Sequence, residues 1–367
     1  MALKTICVAG ARPNFMKVGP LIRVLEADPD FEVVLVHTGQ HYDNAMSGTF
    51  FHELGIRRPD HNLDVGGGSH AQQTAEIMRG FEPVVLNEKP DVVIVVGDVN
   101  STMACALVAK KLGVAVVHVE AGLRSFDRSM PEEINRLVTD AISDLLLVTE
   151  ESGRRNLRRE GVPEDRIFLV GNLMIDSLRK HLERARESAI LDRLEIREKP
   201  YGVVTLHRPG NVDSLDRLGE LLGVLTELSR EVPLLFPVHP RTRAHLERMQ
   251  FAIDGRITFL EPLGYLDFLC MMAHSRIVLT DSGGIQEETT ALGVPCLTLR
   301  DNTERPVTVE QGTNVIAGTS TASILTAWAS VKRNPPKGAL PSLWDGNTAE
   351  RCRQVLRQVF CGDGQQR

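Results

Sequence analysis

Ile277-Val278-Leu279-Thr280-Asp281-Ser282-Gly283-Gly284-Ile285-Gln286-Glu287-Glu288 reads as a buried strand, a glycine turn and the start of a helix. The short apolar run is the strand. Ser282 stands where a helix N-cap belongs, and Gly283 and Gly284 let an oxygen approach the free backbone N–H groups behind it. A helix N-terminus opened by such a turn takes phosphate. An ordinary capped helix reads the same way, and taken alone the segment weighs the two evenly. Partners elsewhere in the chain tip it towards phosphate. Glu288 lies one turn in, too close for comfort to a phosphate and better suited to ribose hydroxyls.

The strand-turn-helix unit recurs on both sides of this stretch. Strand patterns fall at 5–9, 33–38, 92–97, 115–119, 145–148 and 167–170, then at 202–206, 234–238, 257–260, 277–280, 295–299 and 314–317. Longer helical patterns separate them. That alternation predicts parallel sheets wrapped by helices, an α/β fold. The two sets of strands predict two doubly wound, Rossmann-like domains, as a chain of 367 residues also suggests. The expected division is 1–172, 173–345 and a C-terminal helix in 346–367 that could pack on either domain. The charged helical stretch 175–199, ending at Pro200, carries the connection. Ligands of open α/β sheets sit beyond the carboxyl ends of the strands. Polar and glycine-rich residues gather there in both halves, which predicts one site in a cleft between facing sheets.

Composition narrows the function. A net charge of −6 argues against a nucleic-acid surface but leaves room for a small anion met by a few arginines. Six scattered cysteines without a CxxC pair read as buried free thiols, in keeping with a reducing, cytoplasmic setting. The N-terminus has no signal-peptide pattern, and no apolar run reaches membrane-spanning length.

The turns after the strands carry the chemistry. Gly10-Ala11-Arg12-Pro13-Asn14-Phe15-Met16-Lys17 lacks GxGxxG, which disfavours a dinucleotide cofactor. It sets two cations, Arg12 and Lys17, beside a helix start, where positive charge needs an anion to justify it. Carboxylates follow at Asp98 in Gly97-Asp98-Val99-Asn100, at Glu120 in Val119-Glu120-Ala121-Gly122-Leu123-Arg124, and at Glu132 in Pro131-Glu132-Glu133. Asp98 also reads as an N-cap, and Glu132 and Glu133 as first-turn helix charges. Converging on one cleft, three carboxylates would instead raise at least one pKa and make acid and base roles possible near neutrality. No histidine spacing supports a metal. His207 and His239 follow strands at corresponding places, and Arg305 follows another, so each reads as a site residue. The stripe Leu215, Leu218, Leu222 and Leu225 reads as core.

In this order the segments resemble the non-hydrolysing UDP-N-acetylglucosamine 2-epimerases, from Gly10 to Pro306 and through the C-terminal helix. The resemblance implies the two-domain fold of B-type glycosyltransferases. It implies inversion at carbon 2 of a UDP-linked N-acetylhexosamine through elimination of UDP to a 2-acetamidoglucal and re-addition, without metal or redox cofactor. It makes Asp98, Glu120 and Glu132 the acid/base carboxylates, with His207 assisting the departing phosphate. Arg12, His239, Ser282, Gly283 and Gly284 would hold the diphosphate, Glu288 the ribose and Phe268 the uracil. Lys17 and Arg305 would line the same site. A cytoplasmic homodimer serving polysaccharide biosynthesis, with no nucleic-acid or membrane partner, is also implied.

Two segments depart from the pattern. Pro209-Gly210 stands where many members have Arg-Glu. Gln40-His41-Tyr42-Asp43 keeps only the first two residues of the Gln-His-x-Gln/Glu-Met run of members activated by a second substrate molecule. The Gln-His-Tyr-Asp form also resembles relatives acting on UDP-2,3-diacetamido-2,3-dideoxyglucuronate. The rival readings are a B-type glycosyltransferase, a hydrolysing epimerase and a nucleotide-sugar sensor; the sensor has no use for three carboxylates.

Overall fold

The computed structural model describes residues 2–10, 12–39, 55–249 and 256–362, with the backbone alone for residues 12, 240 and 241. The segment 40–43 therefore lies outside the described residues. The chain divides into two compact units, residues 1–177 with 342–367, and residues 178–341.

In the first unit β1 (Leu3–Ala9) pairs in parallel with β2 (Phe31–Gly39) on one side and β4 (Val92–Val96) on the other. Beyond β2 lies β3 (His61–Val65). Beyond β4 lie β5 (Ala115–Val119), β6 (Leu145–Val148) and β7 (Ile167–Leu169), giving the order 3-2-1-4-5-6-7. The reason is plain in β4. Val92-Val93-Ile94-Val95-Val96 is buried throughout, as a parallel strand covered by helices on both faces must be. β3 escaped the sequence reading because His61-Asn62-Leu63-Asp64-Val65 is mostly polar and partly exposed, as an edge strand can be.

The second unit repeats the plan. Its strands are β8 (Gly202–Thr205), β9 (Leu234–Pro237), β10 (Ile257–Leu260), β11 (Ile277–Thr280), β12 (Cys296–Thr298) and β13 (Asn314–Ile316). They run parallel in the order 10-9-8-11-12-13. The helices Leu215–Ser229 and Thr321–Arg333 pack on one core and Tyr265–Ala273 on another. Leu218, Leu222 and Leu225 are buried as expected. Leu215 is not: it is the first residue after the Ser214 cap and lies 42% exposed.

Each sheet reverses its order once, between β1 and β4 and between β8 and β11. Loops leaving such neighbouring strands diverge to opposite faces, and the gap between them is where ligands enter. The segments at those four strand ends are Gly10–Lys17, Gly97–Asp98, His207–Arg208 and Asp281–Gly284.

The C-terminal helix Thr348–Leu356 belongs to the first unit. The Asp176 carboxylate accepts the backbone N–H groups of Thr348 at 3.1 Å and Ala349 at 2.8 Å, capping that helix. The Trp344 indole donates to the Thr149 carbonyl at 3.1 Å. Five cysteines are buried free thiols, and Cys361 is exposed.

Candidate active site

The first unit gathers Lys17, Asp98 and Glu120 around the Gly97 turn. Asn14 donates to the Val96 carbonyl at 3.0 Å, tying the helix after β1 to the end of β4. That helix carries Lys17, whose ammonium is bound to the Glu120 carboxylate with both side chains largely buried. A Cβ on Gly97 would stand 3.6 Å from Lys17 Nζ and 3.7 Å from Glu120 Oε2, so this ion pair lies against the turn leading into Asp98. Glu120 itself has φ +73°, a costly conformation for a side chain larger than glycine. The Arg136 guanidinium donates to Asp98 Oδ2 at 2.5 Å and to Glu133 Oε2 at 2.7 Å. Glu133 also accepts the backbone N–H groups of Ser125 at 2.9 Å and Phe126 at 3.0 Å. Burial presses the Glu133 carboxyl up, and these bonds together with Arg136 hold it below its ordinary value. Glu132, in the first turn of the helix Pro131–Ile142, is half-buried, and no hydrogen bond or ion pair from the described residues reaches its carboxylate. One neighbour of the Pro131-Glu132-Glu133 segment is thus structural, and the other is open to a ligand.

In the second unit Asp281, at the end of β11, is fully buried and organises the segment after β8. Its carboxylate pairs with Nδ1 of His207 at 2.9 Å and accepts the backbone N–H of Arg208 at 3.0 Å and the Asn211 amide at 3.1 Å. Burial presses the Asp281 carboxyl up, and His207, the Arg208 N–H and Asn211 together hold it low. The His207 ring is 43% exposed, with the His239 ring 6.2 Å away. Ser282 occupies the N-cap position of the helix Gly283–Leu292, yet its hydroxyl makes no cap bond. The turn therefore keeps both its hydroxyl and its helix-end N–H groups for a ligand. A Cβ on Gly283 would meet Glu304 Oε1 at 2.6 Å, so only glycine lets this carboxylate lie against the turn. Glu304 is held by Arg300 at 2.8 Å and reaches Arg208 at 3.4 Å.

The comparisons with known proteins agree on one family. The family model described as UDP-N-acetylglucosamine 2-epimerase matches residues 23–357. The UDP-N-acetylglucosamine 2-epimerase of Methanocaldococcus jannaschii is 41% identical over 364 residues, covering 96% of this chain and 99% of that protein. This chain belongs to the UDP-N-acetylglucosamine 2-epimerase family. It is an enzyme, an isomerase of that family. The crystal structure of the M. jannaschii epimerase in complex with UDP-GlcNAc and UDP matches with a TM-score of 0.90 at 40% identity, covering 96% of this chain and 99% of that one. The UDP-2,3-diacetamido-2,3-dideoxy-D-glucuronate 2-epimerase of Pseudomonas aeruginosa is 41% identical over 319 residues, covering 86% of this chain and 88% of that protein.

Glu288 is buried, accepts a hydrogen bond from the Tyr265 hydroxyl at 3.0 Å, and is pushed up to about 7, chiefly by burial. Phe268 is half-buried on the helix that carries Tyr265. Arg305 is buried, and its Nε donates to Glu287 at 2.6 Å. His239 is exposed, and the side chain of Arg12 lies outside the described residues. Sequence reasoning assigned no role to Asp281 or Glu304, nor to Tyr265. Asp281 and Glu304 sit at strand ends or just beyond them, which was a usable signal. Nothing in the spacing of Tyr265 and Glu288 announces their contact. Among the described residues no group of three or more His, Cys, Asp or Glu could hold a metal ion, and no helix is long and apolar enough to cross a membrane.

Proposed function

We propose that the enzyme interconverts UDP-N-acetylglucosamine and UDP-N-acetylmannosamine by eliminating UDP and adding it back. The hydrogen on carbon 2 is not beside a carbonyl, so removing it outright is too costly. Breaking the bond from carbon 1 to the diphosphate oxygen builds positive charge at carbon 1 and acidifies that hydrogen. A carboxylate takes the proton, UDP leaves, and a 2-acetamidoglucal remains. A second carboxylic acid protonates carbon 2 on the opposite face, and the UDP oxygen returns to carbon 1. Asp98, Glu120 and Glu132 are the proton-transfer groups of this reading. Arg136 beside Asp98 and Lys17 beside Glu120 set a cation against each of two of these carboxylates and fix its position. In this reading Nδ1–H of His207 donates to the Asp281 carboxylate, which turns Nε2 towards the leaving diphosphate. Ser282, Gly283 and Gly284, with Arg12 and His239, take the diphosphate, Glu288 the ribose and Phe268 the uracil. Lys17 and Arg305 complete the set, and neither a metal nor a nicotinamide has a step to perform.

The observation that carries the reading is the pair of salt-bridged carboxylates, Asp98 and Glu120, at adjacent strand ends of the first sheet, since a sugar-nucleotide binder alone has no use for them. In deuterium oxide the epimerised product should carry deuterium at carbon 2. Asp98→Asn, Glu120→Gln and Glu132→Gln should each still bind UDP and lose about 100-fold or more in turnover. Product NMR and steady-state rates read both. Epimerised product without solvent deuterium, or three variants near the wild-type rate, refutes the mechanism.

The Pseudomonas relative and the Gln40-His41-Tyr42-Asp43 segment favour UDP-2,3-diacetamido-2,3-dideoxyglucuronate as a second candidate substrate, and the same assay run with both sugars chooses between them. A homodimer is part of this reading. The enzyme would work in the cytoplasm and supply amino-sugar nucleotides for polysaccharide synthesis.

A further inference from the structure

His118 lies in β5, two residues before Glu120, and is completely buried. Both of its ring nitrogens face acceptors. Nδ1 is 2.6 Å from the Asp140 carboxylate, and Nε2 is 2.8 Å from the carbonyl oxygen of Gly97. A carbonyl oxygen and a carboxylate oxygen only accept, so both contacts are hydrogen bonds only if each nitrogen carries a hydrogen. An imidazole with one bare nitrogen would point a lone pair at one of these oxygens inside a fully buried site.

The neighbours balance that charge. The other oxygen of Asp140 accepts the backbone N–H of Gly122 at 3.0 Å and pairs with Arg124 at 2.7 Å. Arg124 continues to Glu160 at 2.6 Å, where the network meets solvent. With His118 cationic, the four groups sum to zero. The charged groups facing the ring are Asp140 on the helix Pro131–Ile142 and, behind it, Arg124 after β5 and Glu160 at the end of the helix Glu151–Arg159. The strand neighbours in register, Val95 and Leu146, are apolar. Burial presses the Asp140 carboxyl up, and the charge and hydrogen bonds of His118 and Arg124 hold it below its ordinary value.

The connections explain why so costly a group is buried. Gly97 immediately precedes Asp98. Gly122 follows Glu120 by two residues, in the loop that Asp140 holds. The helix bearing Asp140 carries Glu132 in its first turn and Arg136, which binds Asp98. We propose that His118, as an imidazolium, is a positioning residue that straps the Asp98, Glu120 and Glu132 segments into one fixed arrangement. It touches no substrate. It acts by holding three proton-transfer groups where misplacement by an ångström lowers the rate more than it lowers binding. The proposal rests on the epimerase reading for its consequence, not for its geometry.

Two measurements test it on the full chain. In a ¹⁵N-histidine spectrum at neutral pH, one ring of the eleven histidines should show both nitrogens protonated and hydrogens shielded from exchange. That signal should vanish in His118→Gln. In kinetics, His118→Gln and Asp140→Asn should each lower kcat by about tenfold or more while KM changes by less than about threefold. UDP affinity, unchanged in both, serves as the check of folding. If His118→Gln does not fold, Asp140→Asn carries the kinetic comparison and the wild-type spectrum stands by itself. A neutral tautomer at His118, or variants with wild-type kcat, overturns the proposal. A doubly protonated ring in a chain that turns over neither UDP sugar supports the strap and tells against the epimerase reading instead.

Discussion

Asp281 holds His207 from two sides: its carboxylate meets the Nδ1 of the ring at 2.9 Å and also accepts the backbone N–H of His207 at 3.2 Å. The last residue of one strand end thus orients a ring on the neighbouring strand end, across the switch point of the second sheet. The ring is held in one orientation, and among the described residues no hydrogen-bond partner meets its Nε2.

This arrangement makes Asp281→Asn informative. The amide keeps the shape but cannot take every N–H the carboxylate takes, and it no longer selects the hydrogen on Nδ1. The variant should lose about 10- to 100-fold in kcat, with a smaller change in KM, by analogy with other carboxylate–histidine pairs. Steady-state kinetics at several pH values reads the split. A loss confined to KM would mean that Asp281 shapes only the binding loop.

Glu288 should make stability depend on pH. Burial lifts its carboxyl from the ordinary 4.5 to about 7, so the folded chain holds a proton between those values that the unfolded chain releases. The sign follows: stability contributed by this group falls as pH rises from about 4.5 to about 7, and is level above. Melting curves of the wild type and Glu288→Gln in the same buffers should diverge through that window. Tyr265→Phe removes the donor that favours the charged carboxylate and should move the window upward. A wild-type and Glu288→Gln difference that stays constant with pH would show that Glu288 does not titrate there.

Gly122 is the backbone position to break. Its φ is +78°, and an added Cβ would lie 2.4 Å from the carbonyl oxygen of Gly153. Gly113, at φ +76° with open space around it, separates the two costs. Gly113→Ala should cost about 1 kcal/mol from the backbone conformation alone, and Gly122→Ala should cost more, about 3 kcal/mol, because the clash adds to it. Urea titrations compare them. Equal losses would mean that the loop after β5 moves aside for a methyl group.

Much was legible in the chain itself. Parallel strands buried on both faces are continuous β-branched runs, so β4 and β11 announce themselves, and glycines at strand ends mark the turns that follow. Those signals are local, and periodicity reads them. They yield the α/β class and most of the strands, and they place the polar residues after strand ends. The edge strand β3 stayed hidden because a polar strand has no such signal, and Leu215 was misread because a helical stripe does not say where the helix begins to be covered.

What the tertiary structure decided is which groups meet. Lys17 and Glu120 stand 103 residues apart and pair only because β1 and the β4–β5 region are neighbours in the sheet. His207 with Asp281, Tyr265 with Glu288, and His118 with Asp140 likewise come from different elements. A carboxylate's role depends on whether it faces an arginine, a tyrosine or open space, since burial and neighbouring charge set its protonation. Spacing along the chain carries no record of those neighbours. Strand order does, and strand order is a property of the folded sheet.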